Sequence, residues 1–376
     1  VRGFVDEMVV VDTGSSDDTV AIASRCGARV HRIDWPGDFA PARNQALQWL
    51  QGDWVLVLDA DERLLPQARE PLMRLMAEPD ALLIHLLRLE EGAQQSPYSN
   101  VSRLFRRHPA ITWSGAYHAM VDDSVLALMQ REPRWRVMQC PLPALSHDGY
   151  SPGRLADGRK AALLRQAMEA ELARRPDDPY ACAKLGGLEL SEGRPDQAVT
   201  LLRQGLLSCP TDAIAARYEL LLHLGMALTS SQPIEARDQY REAVSLPLEG
   251  RIRLGARLNL AVLELELGNR EEALLQAERV TEEAPEVALG WFHLGLIQRQ
   301  RGALVEALAA YRQAIRLNPD HAESHQNLAV ACLLAGDIQS CRLEFQQAIA
   351  LLRSQGRSEE ADALANQAGA MVRLPD

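Results

Sequence analysis

The chain has 376 residues, with 51 acidic and 40 basic side chains that give a formal net charge of −11. Apolar residues make up 47% of it, so wholesale disorder is excluded, and a domain size of roughly 150 residues predicts two or three domains. The acidic balance argues against a nucleic-acid partner, which clustered Lys and Arg would bind, and no apolar run approaches the ~20 residues of a transmembrane span.

Strand-like and helix-like patterns alternate in the first part of the chain. Four runs read as strands, at 7–12, 29–33, 54–58 and 82–89. Helical patterns lie between them, at 17–26, 41–50 and 67–76. This order, with near-continuous apolar strands, predicts a parallel sheet covered on both faces.

The later part of the chain is helical and repeats itself. Gly268, Gly302 and Gly336 are 34 residues apart, and Pro285 and Pro319 have the same spacing. A fixed period of this length indicates stacked two-helix units, because one such unit cannot bury its apolar stripe alone.

One of these units resembles the tetratricopeptide repeat (TPR). The resemblance implies about five repeats over 177–353, a capping helix and tail at 354–376, and a linker helix at 153–176 that joins them to the first domain. The matching positions of this unit are Trp291, Leu294, Gly295, Gly302, Ala307, Tyr311, Ala314 and Pro319.

Motifs in the first domain follow one another in a recognisable order. They are VVVDTGSSDDT at 9–19, ARN at 42–44, VLVLDADE at 55–62 and SHDGY at 146–150. In this order they resemble the family 2 glycosyltransferases, whose domain has the nucleotide-diphosphosugar (GT-A) fold. The resemblance implies an α/β domain at 1–152 followed by an all-α TPR solenoid. It also implies an inverting transfer from a UDP-linked sugar to an acceptor hydroxyl or thiol.

Two carboxylates, Asp59 and Asp61, follow the third predicted strand. Residues two apart share a face where the backbone is extended. Mg²⁺ or Mn²⁺ held by such a pair would bridge the protein to the donor diphosphate. We therefore predict both residues as metal ligands and donor contacts; the alternative is an acidic pair on a solvated loop.

The resemblance assigns further roles to four side chains. It implies that Asp12 contacts the nucleoside, that Arg43 with Asn44 contacts the nucleoside or diphosphate, and that His147 binds the metal or a phosphate. The alternatives are that Asp12 caps the following helix and that Arg43 is an ordinary surface residue. A basic group nearby is interpreted as an exposed strand face: Arg103, Arg106, Arg107 and His108.

The general base is harder to assign. The family pattern implies a Glu after the His that follows Trp-Ser-Gly, but here the pair is His118-Ala119. The remaining candidates for the base are Asp122, Asp123 and His118 itself.

The family pattern also implies a strand and a helix before the first residue printed here. Without them, strands near Val9 and Val57 would border an empty slot, so we expect an N-terminally incomplete chain.

Asn259, His293 and Asn327 occupy one equivalent position on successive repeats. The solenoid resembles the O-GlcNAc transferase superhelix, in which asparagines at this position bind peptide backbone. The resemblance implies that these three residues bind a partner protein; the alternative is that Asn is simply frequent there.

The predicted function is a metal-dependent glycosyltransferase whose repeats recruit an acceptor protein, peptide or glycan. The alternative is a catalytically decayed domain that serves as a protein-binding scaffold. The six cysteines form no CxxC pair or zinc-like quartet, which predicts reduced thiols in a cytoplasmic protein.

Overall fold

The computed structural model describes residues 1, 3–91, 97–115, 119–148 and 159–372. The chain divides into two compact units, Val1–Leu185 and Gly186–Asp376. Clusters of buried apolar side chains lie within each unit, so each unit has a core of its own.

The first unit begins with alternating strands and helices: β1 Val9–Asp12, α1 Thr19–Arg25, β2 Arg29–Arg32 and α2 Phe39–Leu47. β1 and β2 pair in parallel, with Val9 opposite Arg29. Gly27 follows α1 with a φ of +88°, a conformation that favours glycine and ends the helix. The predicted strand–helix–strand–helix order is therefore present in this part.

A second, five-stranded sheet forms the rest of the unit. Its strands are ordered β3-β6-β5-β7-β4, and only β5 and β7 are parallel. The elements of this region are β3 Trp54–Leu56, β4 Glu62–Leu64, a 3₁₀ turn Pro66–Ala68, α3 Arg69–Met76, β5 Ala81–Glu90, β6 Tyr98–Arg106, α4 Asp122–Arg131 and β7 Arg136–His147.

The prediction of a wholly parallel sheet is wrong, because this sheet is mixed. Its most buried hairpin, β5 with β6, is antiparallel. Only residues 91–97 join the two strands, which is too short for the crossover of a dozen or more residues that parallel neighbours need.

Apolar side chains cover both faces of β5 and β6. Leu83 and Phe105 belong to one buried cluster, whereas Ile84 and Leu104 belong to the other. Because successive side chains of a strand point to opposite faces, the hairpin lies between two layers of core. Because both faces of the hairpin are packed, charged side chains at the ends of its strands can be held in fixed positions.

Residues near Val9 and Val57 line a common cavity in the first unit; that a further strand belongs between them stays a prediction. Among the described residues, β1 pairs with β2 alone and β3 pairs with β6 alone. A cavity of about 700 Å³ is lined by residues of both segments, including Val9, Val11, Val55 and Val57.

Helices make up the described remainder of the chain. They are α5 Arg159–Arg174, α6 Pro179–Ser191, α7 Pro195–Ser208, α8 Ile214–Leu228, α9 Pro233–Ser245, α10 Leu254–Glu266, α11 Arg270–Glu283, α12 Ala288–Gln300, α13 Leu304–Leu317, α14 Ala322–Leu334, α15 Ile338–Ser354 and α16 Ser358–Met371, with a 3₁₀ turn at Gly250–Arg253. The last helix lies in the segment predicted to cap the solenoid.

The predicted 34-residue period is visible in the helices themselves. Helices α10, α12 and α14 begin at Leu254, Ala288 and Ala322, which are 34 residues apart. The repeated glycines at 268, 302 and 336 end these helices with φ values of +84°, +82° and +80°. Each of these glycines adopts a backbone conformation that is unstrained only for glycine. The turn that it forms connects one helix to the next.

Candidate functional site

An acidic turn joins β3 to β4. The backbone N–H of Asp59 donates to Glu62 Oε2 at 2.9 Å, and the backbone N–H of Glu62 donates to Asp59 O at 3.0 Å. These two hydrogen bonds close a turn over Asp59-Ala60-Asp61. β3 ends at Leu56, and the two aspartates lie in a closed turn rather than in the extended backbone that their spacing predicts.

Asp59 is held by two arginines. Arg43 donates from a terminal nitrogen to its Oδ1 at 2.7 Å, and Arg103 donates to its Oδ2. Burial raises the pKa of Asp59, but the charges of Arg103 and Arg43 outweigh it and leave the pKa below its ordinary value. The guanidinium of Arg43 also lies 4.7 Å from the ring centre of Trp113.

The interpretation of Arg103 as part of an exposed strand face is therefore wrong. Its side chain is only 11% exposed, and it also lies 3.6 Å from Glu62 Oε1. The sequence signal that could have located it is the period of two along a strand: Arg103 shares a face with the apolar Phe105, which is buried.

Asp61 faces a histidine on the neighbouring strand. Its Oδ2 lies 3.3 Å from His147 Nε2, and the other ring nitrogen of His147 lies 2.6 Å from Glu90 Oε2. Burial raises the pKa of Glu90, but its bonds with His147 and Arg88 lower it overall. The structure thus brings Asp61 and His147 together and directs Asp59 to the arginines, and the metal-binding role of the three residues stays a prediction.

Asn44 and Asp12 both form hydrogen bonds with backbone groups. Asn44 Nδ2 donates to Trp113 O at 3.0 Å, and Trp113 N–H donates to Asn44 Oδ1 at 2.7 Å. Asp12 is 4% exposed and accepts the Ser15 N–H at 3.1 Å; its pKa is lowered by the hydrogen bonds from Ser15. Asp12 therefore closes the turn after β1, whereas α1 begins at Thr19 with no side-chain cap.

The base candidates begin helix α4. Ser102 Oγ donates to Asp122 Oδ1 at 2.8 Å, and Ser114 Oγ donates to Asp123 Oδ2 at 3.0 Å. Asp122 Oδ2 is buried and has no hydrogen-bond partner among the described residues. His118 lies outside the residues that the structure describes.

The three predicted partner contacts differ in chemistry. Asn259 and Asn327 donate from Nδ2 to backbone oxygens one turn earlier in their own helices, at 2.7 and 2.9 Å. His293, at the equivalent position, is largely buried, and its Nδ1 has no hydrogen-bond partner among the described residues. Asn327 Oδ1 also accepts from Arg299 at 3.5 Å, and the ring of His293 lies edge-on to Phe292. The partner-binding role of all three residues stays a prediction.

We expect His293 to make the second unit sensitive to acid. Burial, with a smaller effect of His321, lowers its pKa from 6.5 to about 4. The unfolded chain takes up the proton first, so stability is lost as the pH falls from about 6.5 to about 4, by about 3 kcal/mol. His293→Gln should remove this loss in urea unfolding followed by helical circular dichroism. Equal pH dependence of the variant and the wild type would contradict the assignment.

Comparisons with known families agree with the two units. Residues 3–138 match the model described as glycosyl transferase family 2, and residues 258–322 and 310–342 match two models of the tetratricopeptide repeat. The chain therefore combines a family 2 glycosyltransferase domain with a TPR solenoid, and the predicted fold class is confirmed.

A relative that aligns with nearly the whole chain shows the family. A TPR repeat-containing protein of Synechococcus elongatus is 41% identical over 360 residues, which are 96% of this chain and 89% of that protein. The chain belongs to this family of TPR repeat-containing proteins.

Other similarities cover one unit each. An uncharacterized glycosyltransferase of Rickettsia felis is 31% identical over 135 residues, which are 34% of this chain and 47% of that protein. The solved structure of MamA from Desulfovibrio magneticus RS-1, residues 41 to its end, covers 48% of this chain and 97% of its own, at 22% identity and a TM-score of 0.41. Across the part of the chain that the structure describes, no helix combines the length and apolarity needed to cross a bilayer.

Proposed function

We propose that the first unit binds a nucleotide-diphosphosugar, with UDP as the nucleotide, and transfers the sugar to an acceptor hydroxyl or thiol. The observation that carries this proposal is the convergence of Arg43, Arg103, Asp59, Asp61 and His147 around one turn of a family 2 domain. Two guanidiniums beside a diphosphate would offset its negative charge as the leaving group departs.

The site has residues that suit a divalent cation. The 3.3 Å between Asp61 Oδ2 and His147 Nε2 is close to the spacing of two neighbouring ligands that each lie about 2.1 Å from an octahedral ion. Among the described residues, no group of three His, Cys, Asp or Glu could hold a metal ion by itself. Asp61 and His147 would thus hold Mg²⁺ or Mn²⁺ together with donor oxygens, and the cation would supply charge neutralisation at the diphosphate.

Asp59, predicted as a second metal ligand, has a different place in the proposal. Its two carboxylate oxygens accept from Arg43 and Arg103. We assign it the role of holding these guanidiniums beside the diphosphate, because a carboxylate paired with two arginines has little remaining charge for a cation.

The transfer needs one proton acceptor. In an inverting displacement the acceptor oxygen or sulfur bonds to the anomeric carbon, the bond from that carbon to the diphosphate breaks, and the acceptor proton passes to a base. Asp122 is the preferred base, because its buried Oδ2 has no described partner; Asp123 is the second candidate on the same turn, and His118 remains a prediction.

The proposal is tested by calorimetric titration of the chain with UDP, with and without Mn²⁺. We expect UDP to bind only in the presence of Mn²⁺, and ADP and GDP to bind more weakly. A folded protein that binds none of these nucleotides would contradict the transferase proposal and favour the scaffold alternative.

The solenoid is proposed to recruit a protein or peptide, as TPR units commonly do. All six cysteines are free thiols, which supports a reducing, cytoplasmic location. The net charge of −11 argues against a nucleic-acid partner.

We expect Asn327→Ala to weaken partner binding and to leave UDP affinity unchanged. The amide oxygen of Asn327 accepts a long hydrogen bond from Arg299 at 3.5 Å and would accept from peptide backbone as well, whereas its Nδ2 is bound to Glu323 O. Binding to an array of random peptides measures the effect, and Asn318→Ala, at an exposed helix end, is the matched control. A loss of UDP affinity would contradict this division of labour, and so would peptide binding equal to the wild type.

A further inference from the structure

A buried glutamate, Glu62, lies beneath the acidic turn and is absent from the predicted site. It is the first residue of β4 and pairs across the sheet with His147 of β7. Its side chain has no exposed surface. An isolated carboxylate is costly to bury, so its contacts should account for its presence.

Both carboxylate oxygens of Glu62 have assigned partners. Oε2 accepts the backbone N–H of Asp59 at 2.9 Å, and Oε1 accepts from Arg88 at 2.6 Å. Arg88 Nε in turn donates to Glu90 Oε1 at 2.9 Å, and the second oxygen of Glu90 meets His147. One chain of contacts therefore connects the turn that carries Asp61 to the histidine that faces it.

The charges around the turn are balanced without Asp61. Three arginines face three carboxylates: Arg43, Arg88, Arg103, Asp59, Glu62 and Glu90. Asp61 is thus an additional negative group next to His147. Removing the charge of Glu62 would leave one buried guanidinium uncompensated, close to the place where a cation would bind.

We infer that Glu62 is a positioning residue that holds Asp61 and His147 at ligand spacing before any ligand binds. This inference rests on the proposed function, because it assigns Glu62 a role in the metal and donor binding proposed above. Residues that orient metal ligands contribute to affinity without touching the metal.

Two variants distinguish the effect of the position of the Glu62 carboxylate from the effect of its charge. Glu62→Gln keeps the shape but replaces one acceptor oxygen with an NH₂ donor, so either the Asp59 N–H or Arg88 faces a donor instead of its acceptor. Glu62→Asp keeps both oxygens and the charge but is one methylene shorter, so it cannot span the two partners. We expect each to weaken Mn²⁺ binding by about 10- to 100-fold, measured in the presence of UDP by electron paramagnetic resonance of free Mn²⁺.

Glu132→Gln is the matched control, because Glu132 accepts from Arg134 and Trp135 in the same unit. Thermal unfolding of each variant reports whether it is folded, and Glu62→Asp decides the test if Glu62→Gln does not fold. Wild-type Mn²⁺ affinity in a folded Glu62→Asp chain overturns the positioning role alone. A wild-type chain with no Mn²⁺-dependent UDP binding overturns this inference together with the proposed function.

Discussion

Asp61→Ala is expected to lower the affinity for UDP in the presence of Mn²⁺ by about 100-fold or more, because it removes a proposed metal ligand rather than a supporting residue. The backbone of the turn should survive the change, since Asp148 N–H donates to the carbonyl oxygen of Asp61 at 3.2 Å. Helical circular dichroism should be unchanged. Calorimetry with UDP, with and without Mn²⁺, measures the effect.

Two further variants define what the Asp61 result means. Asp61→Asn keeps the shape but loses the charge, so we expect a loss similar to that of alanine. Asp80→Ala removes a carboxylate that pairs at the surface with Arg136 and should bind UDP as the wild type does. Retained binding with normal Mn²⁺ dependence in Asp61→Ala would remove Asp61 from the site.

Gly295→Ala is expected to destabilise the solenoid by about 1–3 kcal/mol, the usual cost of overpacking a core. A Cβ at this position would lie 2.7 Å from two ring carbons of Tyr311. That ring is fully buried in a cluster with Ala307 and Phe345, so it has little freedom to move aside. Urea unfolding followed by helical circular dichroism should show a lower midpoint.

Gly369→Ala provides the matched control in the last helix. A Cβ there would meet no atom within 4 Å, and alanine favours a helix over glycine by up to about 1 kcal/mol. Its unfolding midpoint should equal or exceed that of the wild type. If Gly295→Ala unfolds at the same urea concentration as Gly369→Ala, then the close contact with Tyr311 is not the reason for a glycine at position 295.

The repeat and the motif order could be predicted because they depend on local spacing. The 34-residue period survives in the helix starts at Leu254, Ala288 and Ala322, since every unit must bury the same apolar stripe against its neighbour. Asp61 and His147 were both predicted as site residues, His147 only through the resemblance to the glycosyltransferase family, whereas their direct contact is a finding of the structure.

The contacts within the site could not be predicted in the same way. The hydrogen bonds between the Asn44 side chain and the Trp113 backbone join residues that are 69 positions apart. Asp59 and Asp61 point to different partners because a closed turn, rather than an extended strand, carries them. Such contacts depend on the order of the strands in the sheet and on which arginines this order places beside the turn. The spacing of residues along the chain does not encode that order directly.

The sequence by itself therefore determined the two-part architecture, the repeat period and the family of the first domain, because each depends on periodic or contiguous residues. The tertiary structure decided that the sheet is mixed, that Arg103 pairs with Asp59 and that Glu62 lies buried beneath the turn. These features arise from strand order, which brings residues distant in the chain to one place where burial makes their charges interact strongly.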